Sequence, residues 1–67
     1  MYPNLEAELK RKNITRQQLA DFLEINVATV SRKMTGNGQF QLSEAFQIIN
    51  GLLPGMTMEY LFATTPA

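Results

Sequence analysis

Residues 15–36 read Thr15-Arg16-Gln17-Gln18-Leu19-Ala20-Asp21-Phe22-Leu23-Glu24-Ile25-Asn26-Val27-Ala28-Thr29-Val30-Ser31-Arg32-Lys33-Met34-Thr35-Gly36. Two helix starts lie inside this stretch. Thr15 to Gln18 is a capping box: the Thr15 hydroxyl can accept from the third backbone N–H of the helix it opens, while Gln18 reaches back to the amide of residue 15. Leu19, Ala20 and Leu23 form the inner stripe of that helix, with Phe22 on its flank. It must stop near Glu24, because Asn26 is a second cap and follows almost at once. The next helix runs over 27–35 and is closed by Gly36, the residue that best tolerates a left-handed terminus. At about 100° per residue, Val30 and Met34 share the inner face of this helix, and Ala28, Ser31, Arg32 and Thr35 point the opposite way. A small, polar, basic face is left outside.

Upstream of this stretch, residues 4–12 make an earlier helix. Leu5 and Leu9 are one turn apart, Glu6 and Glu8 sit in its first turn, and Lys10 to Lys12 sit in its last, a polarity that suits the helix dipole. Asn13 is placed to take a left-handed conformation just past its end. Downstream, Asn37-Gly38-Gln39 reads as a turn, and Phe40 and Leu42 lead into an amphipathic run over 43–51 with Ala45, Ile48, Ile49 and Leu52 as buried positions. Pro54-Gly55 breaks the chain, and Thr57 caps a last short helix over 58–62. The expected fold is all-α: a compact five-helix bundle over residues 1–62 with a short tail over 63–67, and no credible strand pair.

Sixty-seven residues make one domain at most. A core of this size yields only about 3–5 kcal/mol without staples, and with no Cys and no His there is no disulfide and no Cys/His zinc site to supply one. The same absences remove thiolate nucleophiles and His-based triads. The carboxylates Glu6, Glu8, Asp21, Glu24, Glu44 and Glu59 form no paired motif, so no enzyme, no cofactor and no metal are expected. No apolar run approaches the roughly 20 residues of a membrane span. The opening Met1-Tyr2-Pro3-Asn4-Leu5-Glu6 lacks the basic and apolar regions of a signal peptide, which makes the cytoplasm the expected compartment and excludes a membrane partner.

Formal net charge is zero, but the charges are segregated. All six basic residues, Lys10, Arg11, Lys12, Arg16, Arg32 and Lys33, fall within 10–33 together with only Asp21 and Glu24, a net +4 for that stretch. The flanking chain carries Glu6, Glu8, Glu44 and Glu59. A basic stretch of this kind is the electrostatic footprint of nucleic-acid binding, or else a solvated surface.

Two short helices joined by three residues, with a basic face on the second, have the arrangement of a helix-turn-helix formed by the second and third helices. Residues 15–36 resemble the Cro and phage-repressor type of DNA-binding domain, the lambda-repressor-like family. The Leu19-Ala20 pair, Thr29-Val30-Ser31-Arg32 and the closing Gly36 carry the likeness. Leu42 to Ile49 and Met56 to Phe62 are similar to that family's fourth and fifth helices, so the resemblance covers nearly the whole chain. It implies that the start of the third helix enters the major groove while the second crosses the phosphate backbone. Candidate base contacts are then Val27, Ala28, Thr29, Ser31 and Arg32. Arg32 is the best reader, since its planar fork can donate twice to guanine O6 and N7, whereas Val27, Ala28 and the Thr29 methyl suit thymine methyls. Candidate phosphate contacts are Arg16, Gln17, Lys33, Thr35, Asn37 and Gln39.

The sequence departs from the family pattern in three respects. Arg16 stands where the family usually has a Gln that braces the recognition helix and touches a phosphate; phosphate contact is retained and the brace is left open. Glu24 stands where many relatives have Gly in the turn, so a non-glycine residue is asked to take positive φ at a cost of order 1 kcal/mol. Val27 and Ala28 replace polar amide readers, which limits hydrogen bonding to bases.

Near the C-terminus, Met56, Met58, Tyr60, Leu61 and Phe62 exceed what one short helix can bury on one side. Met58, Tyr60 and Phe62 are therefore the candidate homodimer interface, in line with the resembled family's use of this region. The expected function is a sequence-specific repressor of Cro-like phage or prophage type, binding a near-palindromic duplex operator as a dimer. The alternative is a module of the same fold that binds a protein, such as an antirepressor masking a repressor.

Overall fold

The computed structural model describes residues 2–35 and 38–64. Five α-helices follow one another in it: α1 Pro3–Arg11, α2 Arg16–Leu23, α3 Val27–Thr35, α4 Leu42–Gly51 and α5 Met58–Leu61. There is no strand among the described residues, and the fold is all-α. The expected boundaries hold to within one residue at each end. α1 begins at Pro3 rather than Asn4, because a proline at the first helical position has its φ preset and lacks an N–H that would go unpaired there. α4 begins at Leu42 rather than Ser43. Glu44 Oε1 accepts from the Gln41 amide at 2.8 Å, which moves the cap to residue 41. α5 ends at Leu61, one residue short, with Phe62 as its C-cap.

The core is a single cluster to which every helix contributes. Leu5 and Leu9 of α1, Leu19, Ala20 and Leu23 of α2, Val30 and Met34 of α3, Ile48 of α4 and Leu61 of α5 are all buried in it. The expected inner residues Ala45 and Ile48 are buried, whereas Ile49 and Leu52 are half-buried. Leu53 is fully buried instead. Its amide and that of Leu52 both donate to the Ile48 carbonyl, at 3.0 and 2.9 Å, so the chain coils under the end of α4 and tucks residue 53 inward. Tyr2, Phe40 and Phe62 close one side as three rings in mutual contact, with centroids 5.5, 5.7 and 5.8 Å apart and tilted to edge-on planes, the preferred geometry for aromatic pairs.

α2 and α3 pack directly on each other as a helix-turn-helix. Phe22, on the outer flank of α2, lies over Gly51 at the end of α4. A Cβ there would fall 2.4 Å from the ring, so the glycine is what admits it. No helix among the described residues is long and apolar enough to cross a membrane.

Candidate nucleic-acid interface

The capping box that opens α2 is complete. The Gln18 amide donates to Thr15 Oγ1 at 3.1 Å, and the Thr15 amide donates to Gln18 Oε1 at 2.8 Å. This fixes the first turn of α2, and with it the direction of Arg16. The helix ends at Glu24, which takes a left-handed conformation with φ 58° and ψ 42°. The turn that follows is tight. The Glu24 amide donates to the Asp21 carbonyl at 3.2 Å and the Ile25 amide to the Ala20 carbonyl at 3.0 Å, satisfying two carbonyls at the end of α2. Among the described residues Asn13, after α1, is the other non-glycine residue at positive φ, 57°.

α3 is then launched by Asn26, whose Oδ1 accepts from the Ala28 amide at 2.8 Å. Val30 and Met34 anchor its inner face in the core, and Ala28, Arg32 and Thr35 lie exposed on the outside. Ser31 and Thr29 are half-buried, and Val27 is half-buried with its side chain packed on the core. The five candidate base contacts therefore differ in access: Ala28 and Arg32 stand proud, while Val27 offers only part of its surface. Arg32 makes no ion pair among the described residues.

Arg16 joins the two helices of the motif. Its Nη1 donates to Ser31 Oγ at 3.3 Å and its Nη2 to Glu6 Oε1 at 3.1 Å. The brace that the sequence leaves open is thus present, made by a guanidinium in place of an amide. Both ends of the Arg16–Glu6 pair are substantially exposed, 43% and 42% of their side chains, so the attachment to Glu6 is a weak one. Beside it lies an open groove of about 500 Å³, lined by Leu9, Ile14 and Met34 among others and by Arg16 itself. Gln17, the neighbouring candidate phosphate contact, donates to Asp21 Oδ1 at 3.0 Å along the exposed side of α2.

Lys33 behaves differently from its neighbours. Its Nζ donates to Glu44 Oε1 at 3.0 Å and to the Gln39 carbonyl at 3.1 Å, and lies 5.8 Å from the centroid of the Phe40 ring. Only 15% of the lysine side chain and 17% of the glutamate are exposed. This cation ties α3 to α4, so its charge is already answered within the fold. Gln39 is exposed and engages through its backbone. Thr35 Oγ1 donates to the Arg32 carbonyl at 3.2 Å. Asn37, with the expected helix terminator Gly36, lies outside the described residues.

A third ion pair joins Arg11 to Glu8 at 3.0 Å. Three of the four flanking glutamates, Glu6, Glu8 and Glu44, thus fold back onto the basic stretch, and the segregation of charge along the chain is partly undone in space. Glu6 and Glu44 are the functional neighbours that sequence reasoning missed. Glu44 carried a usable signal as a third-position partner for a cap at residue 41. Glu6 carried none, being ten residues from Arg16 on another helix.

The candidate dimer residues make intramolecular contacts. Glu8 is buried, 2% exposed, and its Oε2 accepts from the Tyr60 hydroxyl at 2.8 Å. The backbone carbonyl of Tyr60 accepts from Asn4 Nδ2, also at 2.8 Å. The hydrogen bond to Glu8, followed by burial and the nearby negative charge, pushes the Tyr60 hydroxyl above its ordinary pKa of 10.0, against a smaller opposing effect of Arg11. Phe62 belongs to the aromatic trio, and Met58 is half-buried. No group of three metal-binding side chains comes together among the described residues. No protein-family model, curated protein or solved structure matches the chain.

Proposed function

We propose that this protein is a small sequence-specific DNA-binding repressor of the Cro and phage-repressor kind, acting in the cytoplasm by occupying a near-palindromic duplex operator. The observation that carries this reading is the outer face of α3. Ala28 and Arg32 are presented to solvent by a helix anchored through Val30 and Met34 and braced by Arg16 on α2. That is the geometry in which one helix lies in a major groove while the other crosses the backbone.

On this reading Arg32 donates its fork to a guanine, Ala28 and the exposed part of Val27 face thymine methyls, and Ser31 and Thr29 add a hydroxyl each. Arg16 and Gln17 approach phosphates, as do Thr35 and Gln39, and Arg16 exchanges Glu6 for a phosphate oxygen when DNA arrives. One such helix reads only a few base pairs. Two copies on successive grooves of one duplex face, about 34 Å apart, are what make an operator distinguishable from bulk DNA.

Selection of bound sequences from random duplexes, followed by a salt titration on the winner, tests the proposal. Binding should weaken with salt at a slope near −0.9 per phosphate engaged. Failure to enrich any sequence, together with no salt-dependent binding to any duplex, overturns it.

A second reading, a module of this fold that binds a repressor protein, is favoured by one observation: half of the basic side chains already face glutamates within the fold. It predicts binding to a protein that survives salt, with no duplex selected.

A further inference from the structure

We propose that the outward face of α4, carrying Leu42 and Phe46, is the surface on which a second copy of this chain docks, helix against helix across a two-fold axis. The proposal goes beyond DNA binding, and its test uses no DNA.

Leu42 and Phe46 are the most exposed large apolar side chains among the described residues, at 65% and 51%. They are one helical turn apart, and half-buried Ile49 continues the stripe into the next turn. A single exposed leucine is ordinary, but a stripe over two turns is surface that water disfavours and a partner can cover.

The charge pattern selects the partner. α4 has one charged side chain, Glu44, and it is turned onto Lys33 and the Gln41 amide. The rest of the exposed face is Ser43, Gln47 and Asn50. In a two-fold contact every residue meets the same surface that it belongs to, so a charge near the axis would meet its own sign. Hydroxyls and carboxamides both donate and accept, and therefore complement themselves. A face with an apolar stripe beside such groups and no exposed charge is complementary to its own copy. It offers no cation to a phosphate backbone and no charge by which to select an acidic or basic partner. The whole chain has zero formal net charge, so two copies approach without overall repulsion.

α5 is the less suitable element. Tyr60 is held at both its hydroxyl and its carbonyl by α1, and Phe62 packs on Tyr2 and Phe40. Both are already engaged within the monomer, and Tyr60 presents less free surface, 37%, than Leu42 or Phe46.

Sedimentation equilibrium of the whole chain, from micromolar to millimolar, should show a monomer–dimer equilibrium. Phe46→Glu and Phe46→Lys should each weaken it by about tenfold or more, since like charges would then oppose one another at the contact. An equimolar mixture of the two variants should regain dimer mass. Circular dichroism of each variant checks that it is folded, which the half-exposed position of Phe46 favours. Leu42→Lys serves as a second variant if either fails to fold. The proposal is overturned if the native chain stays monomeric, which would leave this face to another protein's apolar helix. It is equally overturned if the folded variants dimerise as the native chain does, if only Met58→Glu disrupts the dimer, or if the mixture fails to recover.

Discussion

Arg16 on α2 donates to Ser31 on α3 at 3.3 Å, so the helix that would cross the DNA backbone holds a side chain of the helix that would enter the groove. The same guanidinium also touches Glu6, which means that one cation has both a structural and an exchangeable partner. Arg16→Ala should therefore weaken binding to all duplexes alike and lower the salt slope by about one unit. Fluorescence anisotropy on selected and scrambled duplexes measures both effects.

Glu6→Gln should have the opposite sign. It removes the carboxylate that occupies Arg16 in the free protein, and an exposed pair of this kind is worth little, so affinity should rise about two- to fivefold on every duplex without a change in preferred sequence. An unchanged or reduced affinity would show that Arg16 does not leave Glu6 on binding.

Arg32→Ala should act at a single base pair. The expected loss is about 1–3 kcal/mol on the preferred operator and little on others, so discrimination falls at that position alone. Measuring affinity against a set of single-base-pair operator variants separates this signature from that of Arg16.

Glu24→Gly relieves the left-handed turn, where φ is 58°. Stability should rise by up to about 1 kcal/mol, less whatever the more flexible unfolded chain takes back. Thermal unfolding checks it, and a clear fall would mean that the Glu24 side chain contributes more than its backbone strain costs.

Tyr60 gives a pH signature. Its folded pKa lies above 10.0, so the protonated hydroxyl is the form that the fold favours. The associated stability is fully present below pH 10 and is lost as pH rises through the raised folded value. Tyr60→Phe removes a donor from the buried Glu8 carboxylate and should melt lower than the native chain at neutral pH. The gap between them should narrow above pH 10, as ionised Tyr60 begins to repel Glu8.

The turn was legible because its grammar is local. Thr15 with Gln18, the left-handed Glu24 and the Asn26 cap each work within a few residues, and each takes the conformation that its neighbours demand. The inner faces of α2 and α3 follow from periodicity alone. The state of the cations was not legible, because Glu6 and Arg16, or Lys33 and Glu44, meet only after helices have been placed in space. Leu53 was missed for a related reason: it lies past the end of the period that marks α4, and only the coil of chain onto the Ile48 carbonyl turns it inward. The family resemblance brings the start of α3, Val27 included, to the groove, but at about 100° per residue Val27 falls on the side of Val30 and Met34, and its side chain rests partly on the core.

The Glu44 carboxylate caps α4 and holds Lys33 of α3 with the same oxygen. A subunit contact made through α4 would reach the pitch of α3 through this group as well as through the shared core of Ile48, Val30 and Met34, so the angle between two recognition helices would be stiff rather than adaptable. Glu44 would then work as a ruler, setting how many base pairs separate two half-sites. Loosening it with Glu44→Gln should leave the preferred half-site unchanged while letting operators with one base pair added or removed between halves compete.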